Sequence, residues 1–411
     1  MVEHKDAFGS VFIPEDWSLI PLGKCVTEKL SYGINAPAIP FDGKSPAYIR
    51  ITDITEDGRF DNSDRKAVQT NEREKYMLRE GDIVLARTGA STGKTYLYDK
   101  RDGELVYAGF LIKASIDINQ HNPRFIVGQL RTPRYWSWVA AMSMRSGQPG
   151  INGKEYSSFL VPVASKEEQD AIANALAEFD THIANLAELI EKKKGIRDGA
   201  LEDLVSGRTR LTGYTDEWSK TTIGACAEIF QGGTPSTTNS RFWGGSVIWV
   251  TPSEITKLPT MYIDDSERKI TEEGVQNSSA KLLPAGTILL CTRATIGDLA
   301  IAKKPMTTNQ GFKNLVCNSD VHNVFFAYLL RTLKPIMLSL AIGTTFLEIS
   351  KRNLSSIEIS MPNYPEQKAI ADVLAAMDKE IKDLEDERNK MIQIREGAMD
   401  DLLTGWVRLT V

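Results

Sequence analysis

The residues that first invite a chemical reading are Arg87–Thr95, "RTGASTGKT". Glycines, hydroxyls and a lysine follow directly on the apolar run "DIVLA" (Asp82–Ala86). These are the residue types of a phosphate-cradling loop, which would make the chain an NTPase. Such a loop needs G-x-x-x-x-G-K-[ST], a spacing that curls successive backbone N–H groups round a phosphate with a helix N-terminus behind them. Gly89 and Gly93 stand one residue too close, and "TYLYDKRDG" after them alternates like a strand and then turns. A second stretch in the same setting, "TRATIGD" (Thr292–Asp298), has no lysine. Two readings survive. One is a plain β-turn. The other is a loop after a strand, present twice, that offers Arg87 or Arg293 and free amides to a phosphate backbone without hydrolysing anything.

Other chemistries find little support. The four cysteines, Cys25, Cys226, Cys291 and Cys317, show no CxxC spacing, and four scattered histidines give no zinc pattern. This suits a reducing cytoplasm. No secretory signal is visible in "MVEHKDAFGS", and apolar runs such as "VFFAYLL" are too short to span a bilayer. The chain lacks a "PP" dipeptide for an adenine-gripping loop. It also lacks a glycine-rich methyl-donor fingerprint after a strand and a nucleophile with a matched base. The expectation is a binding protein without catalytic residues, metal or cofactor of its own.

The elements that would position these loops occur twice. Glu168–Leu211 aligns without a gap to Glu366–Leu409, and 20 of 44 positions are identical. The regions before each copy repeat more loosely: "WSLIPLGKCV" and "WSKTTIGACA", "LREGDIVLARTGASTG" and "LPAGTILLCTRATIG", "SSFLVPV" and "SSIEISMP". The plan is globular, helical, globular, helical, with domains at 1–164 and 212–364 and helical spacers at 165–211 and 365–411. Ile172, Leu176, Phe179, Ile183, Leu186 and Ile190 step by four and three, as do Ile370, Leu374, Met377, Ile381 and Leu384. That is the a/d seam of a helix of about 40 residues, or about 60 Å. Where one copy has a polar residue on the seam the other has an apolar one (Lys193 against Met391, Arg388 against Ile190). The two helices can therefore pack on each other, or each can lie on its own domain.

A net charge of −5 argues mildly against a nucleic-acid partner, until it is divided. Residues 161–211 carry 7 basic against 10 acidic groups and 363–411 carry 7 against 11. The globular parts are balanced, 21 against 20 in 1–160 and 14 against 13 in 212–362, and are free to bear local basic surfaces.

At this point the chain resembles the specificity subunits of type I restriction–modification enzymes. "GGTPSTTNSRFWGGSVIWVTPSEI" (Gly232–Ile255) looks like the opening of a target-recognition domain in that family. "GTILLCTRATIG", "NQGFKNL" and "GTTFLEIS" resemble its later blocks. "EEQDAI" with "LVSGRTRL" and "PEQKAI" with "LLTGWVRL" look like its two repeated helical regions. The first half departs from the pattern, with "LSYGINAP" in place of GGTP and "SGQPGING" in place of GTT. The resemblance implies an α+β fold: two mixed α/β recognition domains joined by two long antiparallel coiled-coil helices with a pseudo-two-fold repeat. Each domain would read one half of a split, asymmetric site in double-stranded DNA. The helices would set the gap and dock two methyltransferase (modification) subunits that bring S-adenosylmethionine. Restriction/translocase subunits would bring ATP hydrolysis and Mg. The alternative is a coiled-coil scaffold or oligomerisation rod without DNA specificity.

Readout by Arg or Lys at guanine and Asn or Gln at adenine selects the candidates. In the first domain they are Arg87, Ser91, Thr92, Lys94, Gln148, Asn152 and Lys154. In the second they are Gln231, Thr234, Ser236, Arg293, Thr295, Asn309, Gln310, Lys313, Thr344, Thr345 and Lys351. Trp136, Trp138, Trp243 and Trp249 are expected in the core.

Overall fold

The structure, a computed structural model, describes residues 1–6, 9–144, 150–343 and 347–409. Two compact units emerge, 1–185 with 389–411 and 186–388. The long helices Lys166–Ser206 and Tyr364–Thr404 form no unit of their own, and each gives part of its length to each unit.

The first unit is built on an antiparallel sheet in the order Ser31–Tyr32, Leu111–Ser115, Asp82–Ala86, Thr95–Leu97. The second repeats that order with Ala227–Gln231, Phe312–Cys317, Ile288–Cys291 and Leu299–Ala302, and adds Tyr262–Ile263 as a parallel edge. The central strands "DIVLA" and "ILLC" are buried at every position, which explains their unbroken apolar runs. The helices Pro123–Gln129 and Pro133–Ser143 cover one sheet, Asn323–Thr332 and Lys334–Ser339 the other.

Both readings of the long helices hold. Within the first unit Ile172 and Leu176 join a core with Phe125, Trp138, Leu402 and Leu403, and Asp180 pairs with Arg395 at 3.1 Å. Within the second, Lys194 pairs with Glu385 at 2.9 Å and Arg197 with Asp378 at 3.4 Å, an antiparallel register. Leu186, Ile190 and Ile381 are buried there, and Ile370 and Leu374 enter the domain core. Each helix face therefore serves a helix partner and a domain at once.

The duplicated "EQ" and "RL" motifs now have a cause. Glu168, 3% exposed, accepts from Arg408 Nη2 at 2.7 Å and from Trp17 Nε1 at 3.0 Å, with Arg408 lying over the Trp17 ring. Glu366, 1% exposed, accepts from Arg210 Nη2 at 2.7 Å, with Arg210 over Trp218. The neighbouring Gln169 accepts from Asn122 N–H and donates to the Ala164 carbonyl. Gln367 does the same with His322 and Pro362. Each pair ties a helix start to its own domain and to the tail of the other repeat. Glu366→Ala removes the counter-charge of Arg210 from a buried site. It is expected to cost about 3 kcal/mol, the low end for a buried pair because Arg210 keeps some exposure. Urea unfolding checks this, and an unchanged midpoint would contradict it.

Candidate nucleic-acid interface

In both units the loops after the second central strand, before the neighbouring strand and at a short capped helix converge on one end of the sheet. Ala86, Arg87 and Gly93 carry the first: Arg87 N–H donates to Phe110 O (3.0 Å), Ile151 N–H to Arg87 O (2.9 Å) and Gly93 N–H to Ala86 O (2.9 Å). In the second unit Thr292 N–H donates to Gly311 O (2.8 Å), Ile349 N–H to Thr292 O (3.2 Å) and Gly297 N–H to Cys291 O (3.0 Å). The bonds correspond one for one, and the bridges Thr88↔Gly150 and Arg293↔Glu348 follow them, so Arg87 takes the place of Thr292 and Thr88 that of Arg293, although the first loop is one residue longer. The two arginines lie one residue apart on a shared scaffold. A strand, Thr95–Leu97, follows the glycine loop, so no helix N-terminus stands behind it to hold a nucleotide phosphate.

In the first unit, the Arg87 guanidinium lies 4.9 Å from the Tyr32 ring centroid, and the Tyr32 hydroxyl accepts from Gly153 N–H at 2.9 Å. Thr92 is buried and its hydroxyl donates to Gly89 O at 2.7 Å, which closes the turn. Lys94 pairs with Glu56 at 2.6 Å, and Ser91 is half-buried on the same turn. Asn152 caps the helix Gly153–Ser158, accepting from Lys154 and Glu155 N–H while Glu155 answers to Asn152 N–H. Lys154 is exposed. Gln148 lies outside the described residues.

In the second unit, Gln231 Nε2 donates to Gln310 O at 3.0 Å, Thr234 donates to the Gln310 side chain, and Ser236 bonds Thr238. Asn309 accepts from Gly311 N–H at 2.8 Å and shapes the turn. Arg293 reaches Glu348 at 2.6 Å, and Lys313 reaches the same carboxylate at 3.0 Å. Lys313 is 3% exposed at its side chain, so as placed it holds Glu348 and presents nothing to a ligand. Burial pushes the Glu348 carboxyl up, but Lys313 and Arg293 outweigh it and hold the group below its ordinary value. Lys351 donates to Ile229 O at 2.7 Å and fastens its helix to the sheet edge. The Thr295 hydroxyl is buried and unpartnered. Thr344 and Thr345 lie outside the described residues.

The "GG" of the GGTPS turn is a packing requirement. A Cβ on Gly232 would stand 1.8 Å from Asn309 O, and one on Gly233 would stand 2.3 Å from Ser279 Oγ. Two indoles hold the turn: Trp249 Nε1 donates to Gly233 O at 2.9 Å and Trp243 Nε1 to Ser236 O at 3.0 Å. Trp138 and Trp249 are core residues as expected, while Trp243 is half-buried and Trp136 is 40% exposed. Tyr32 and Glu348 are absent from the sequence-derived candidates. Both lie within blocks singled out there, "LSYGINAP" and "GTTFLEIS", but only the fold brings them against Arg87 and Arg293.

Among the described residues, no group of His, Cys, Asp and Glu is arranged to hold a metal, and no helix is long and apolar enough to cross a membrane.

The model of the type I restriction modification DNA specificity domain matches residues 37–193 and again 215–393. The type I restriction enzyme MjaIX specificity subunit of Methanocaldococcus jannaschii is 37% identical over 192 residues, which is 46% of this chain and 44% of that one. The putative MjaX specificity subunit of the same organism is 26% identical over 426 residues, covering 97% of this chain and 95% of that one. The crystal structure of the HsdS subunit from Thermoanaerobacter tengcongensis matches with a TM-score of 0.53 at 17% identity, over 96% of this chain and 98% of that one, a likeness of fold.

Proposed function

The chain belongs to the type I restriction modification DNA specificity family, and from this we infer that each of its two units reads one half of a split, asymmetric DNA site. The observation that carries the reading is the doubled frame of loops around Arg87 and Thr292, built from the same backbone bonds and furnished with different side chains. A shared scaffold with divergent side chains is what two related but unequal sequences require. A scaffold protein that served only to oligomerise would need no such doubled loop set.

On this reading the long helices fix the gap between the half-sites and dock two methyltransferase subunits. S-adenosylmethionine belongs to those subunits, and ATP and Mg to restriction/translocase subunits. The chain supplies the address and its partners the adenine methylation and cleavage, in the cytoplasm where that DNA lies.

Affinity should come from phosphates and specificity from base edges. Lys154 and Arg352 are exposed second residues of the two equivalent capped helices, Gly153–Ser158 and Lys351–Ser355. Replacing both with Ala in the complex with methyltransferase subunits is expected to weaken DNA binding alike for all sequences. It should also reduce the slope of log K against log salt by about two. An unchanged slope would remove these residues from the interface.

A further inference from the structure

We propose that Glu348 is a specificity-determining positioning residue, which holds Arg293 with its outer fork free to read a guanine in the second half-site. The inference rests on the reading that this end of the unit meets DNA, and goes beyond it by naming a base. Glu348 Oε2 takes Arg293 Nε and Nη2, each at 2.6 Å. Nη1 and the outward edge of Nη2 have no partner among the described residues, and 43% of the side chain is exposed. That outer pair of N–H groups matches the O6 and N7 acceptors that guanine shows in the major groove.

The carboxylate is itself fixed. Its other oxygen meets Lys313 Nζ at 3.0 Å, and Lys313 rises from the buried strand Phe312–Cys317. Its backbone is paired on both sides, with Arg293 as an antiparallel bridge and with Ile342 through bonds of 2.9 and 3.1 Å. The arginine's own backbone is locked as well. Ala294 is the one non-glycine with positive φ (59°) among the described residues, and Thr295 N–H closes on Arg293 O at 2.6 Å. L side chains rarely adopt this conformation, and it persists only where surroundings impose it. A buried lysine, a half-buried carboxylate and a constrained turn thus converge on one half-exposed guanidinium. This is the arrangement that a reading side chain needs to resist rotamer loss.

The test uses the full chain with its methyltransferase subunits, on duplexes carrying the methylated site mapped for the wild type. Each guanine of the second half-site is replaced in turn by 7-deazaguanine, which lacks the N7 acceptor. One such position is expected to cost the wild type about tenfold in affinity. In Glu348→Gln and in Arg293→Lys the same replacement is expected to cost less than about twofold, because the fork is no longer held or no longer exists. Because Glu348→Gln leaves Lys313 buried without its counter-charge, Glu348→Gln with Lys313→Met is measured beside it. A merely structural Glu348 would weaken binding to natural and modified duplexes alike and preserve the tenfold ratio, which would overturn the inference. A second half-site without a G·C pair, or no sensitive guanine in the wild type, would overturn it too and leave the split-site reading standing. If the wild-type complex directs no split site at all, that reading itself fails.

Discussion

Exchanging residues 1–164 for the corresponding part of a relative that reads another site is expected to change one half of the methylated sequence and leave the other intact. Every described candidate of the first frame, from Arg87 to Lys154, lies inside that segment, and every one of the second lies outside it. Base pairs contribute about 1–3 kcal/mol each and add when well separated, so losing several at once amounts to losing the old half-site. The exchange must respect the joints. Trp17 and Asn122 belong to the segment and bond Glu168 and Gln169 outside it, so a donor needs equivalents at both places. Genome-wide mapping of methylated adenines reads the outcome. A change in both halves would show that the two frames do not read independently.

Inserting four residues into each long helix is expected to widen the gap between the half-sites by one or two base pairs and to abolish methylation at the original spacing. Four helical residues add about 6 Å, against about 3.4 Å for each base-pair step. Both helices must be lengthened, since the ion pairs Lys194–Glu385 and Arg197–Asp378 and the buried Leu186, Ile190 and Ile381 set a register that one insertion would break. An unchanged gap would show that the helices do not measure distance.

Much of this organisation is legible in the residues before any coordinates. The helices announce themselves by a long seam and 20 identities in 44 positions, because a helix periodicity survives in local sequence. The matching of polar and apolar residues between copies, such as Arg388 with Ile190, already points to two helices sharing a face. What is not legible is pairing across distance. Glu168 and Arg408 stand 240 positions apart, and the two motifs that contain them give no sign that one clasps the other. The same limit governs the frame. Aligned as text, the loops invite matching Arg87 with Arg293, but the backbone bonds match Arg87 with Thr292. Lys313 reads as a DNA contact because a lysine can pair with guanine and this one stands in the block "NQGFKNL". Its strand is covered on both faces, so the charge turns inward to Glu348. Thr92 and Asn309 carry hydroxyl and amide groups suited to base edges, and the Thr92 hydroxyl and the Asn309 amide oxygen each close a turn. Short polar residues in loops serve either purpose with the same chemistry, and only the distance to a neighbour decides.

The central claim is that one chain reads two unequal half-sites and dictates where partners act. It is tested most directly by expressing the chain with its methyltransferase in a host lacking other adenine methylation and mapping the modified adenines. The account predicts a single motif of two short, different sequences separated by a fixed run of unspecified bases, with one modified adenine in each. Methylation that is absent, scattered, or confined to one continuous sequence would contradict it.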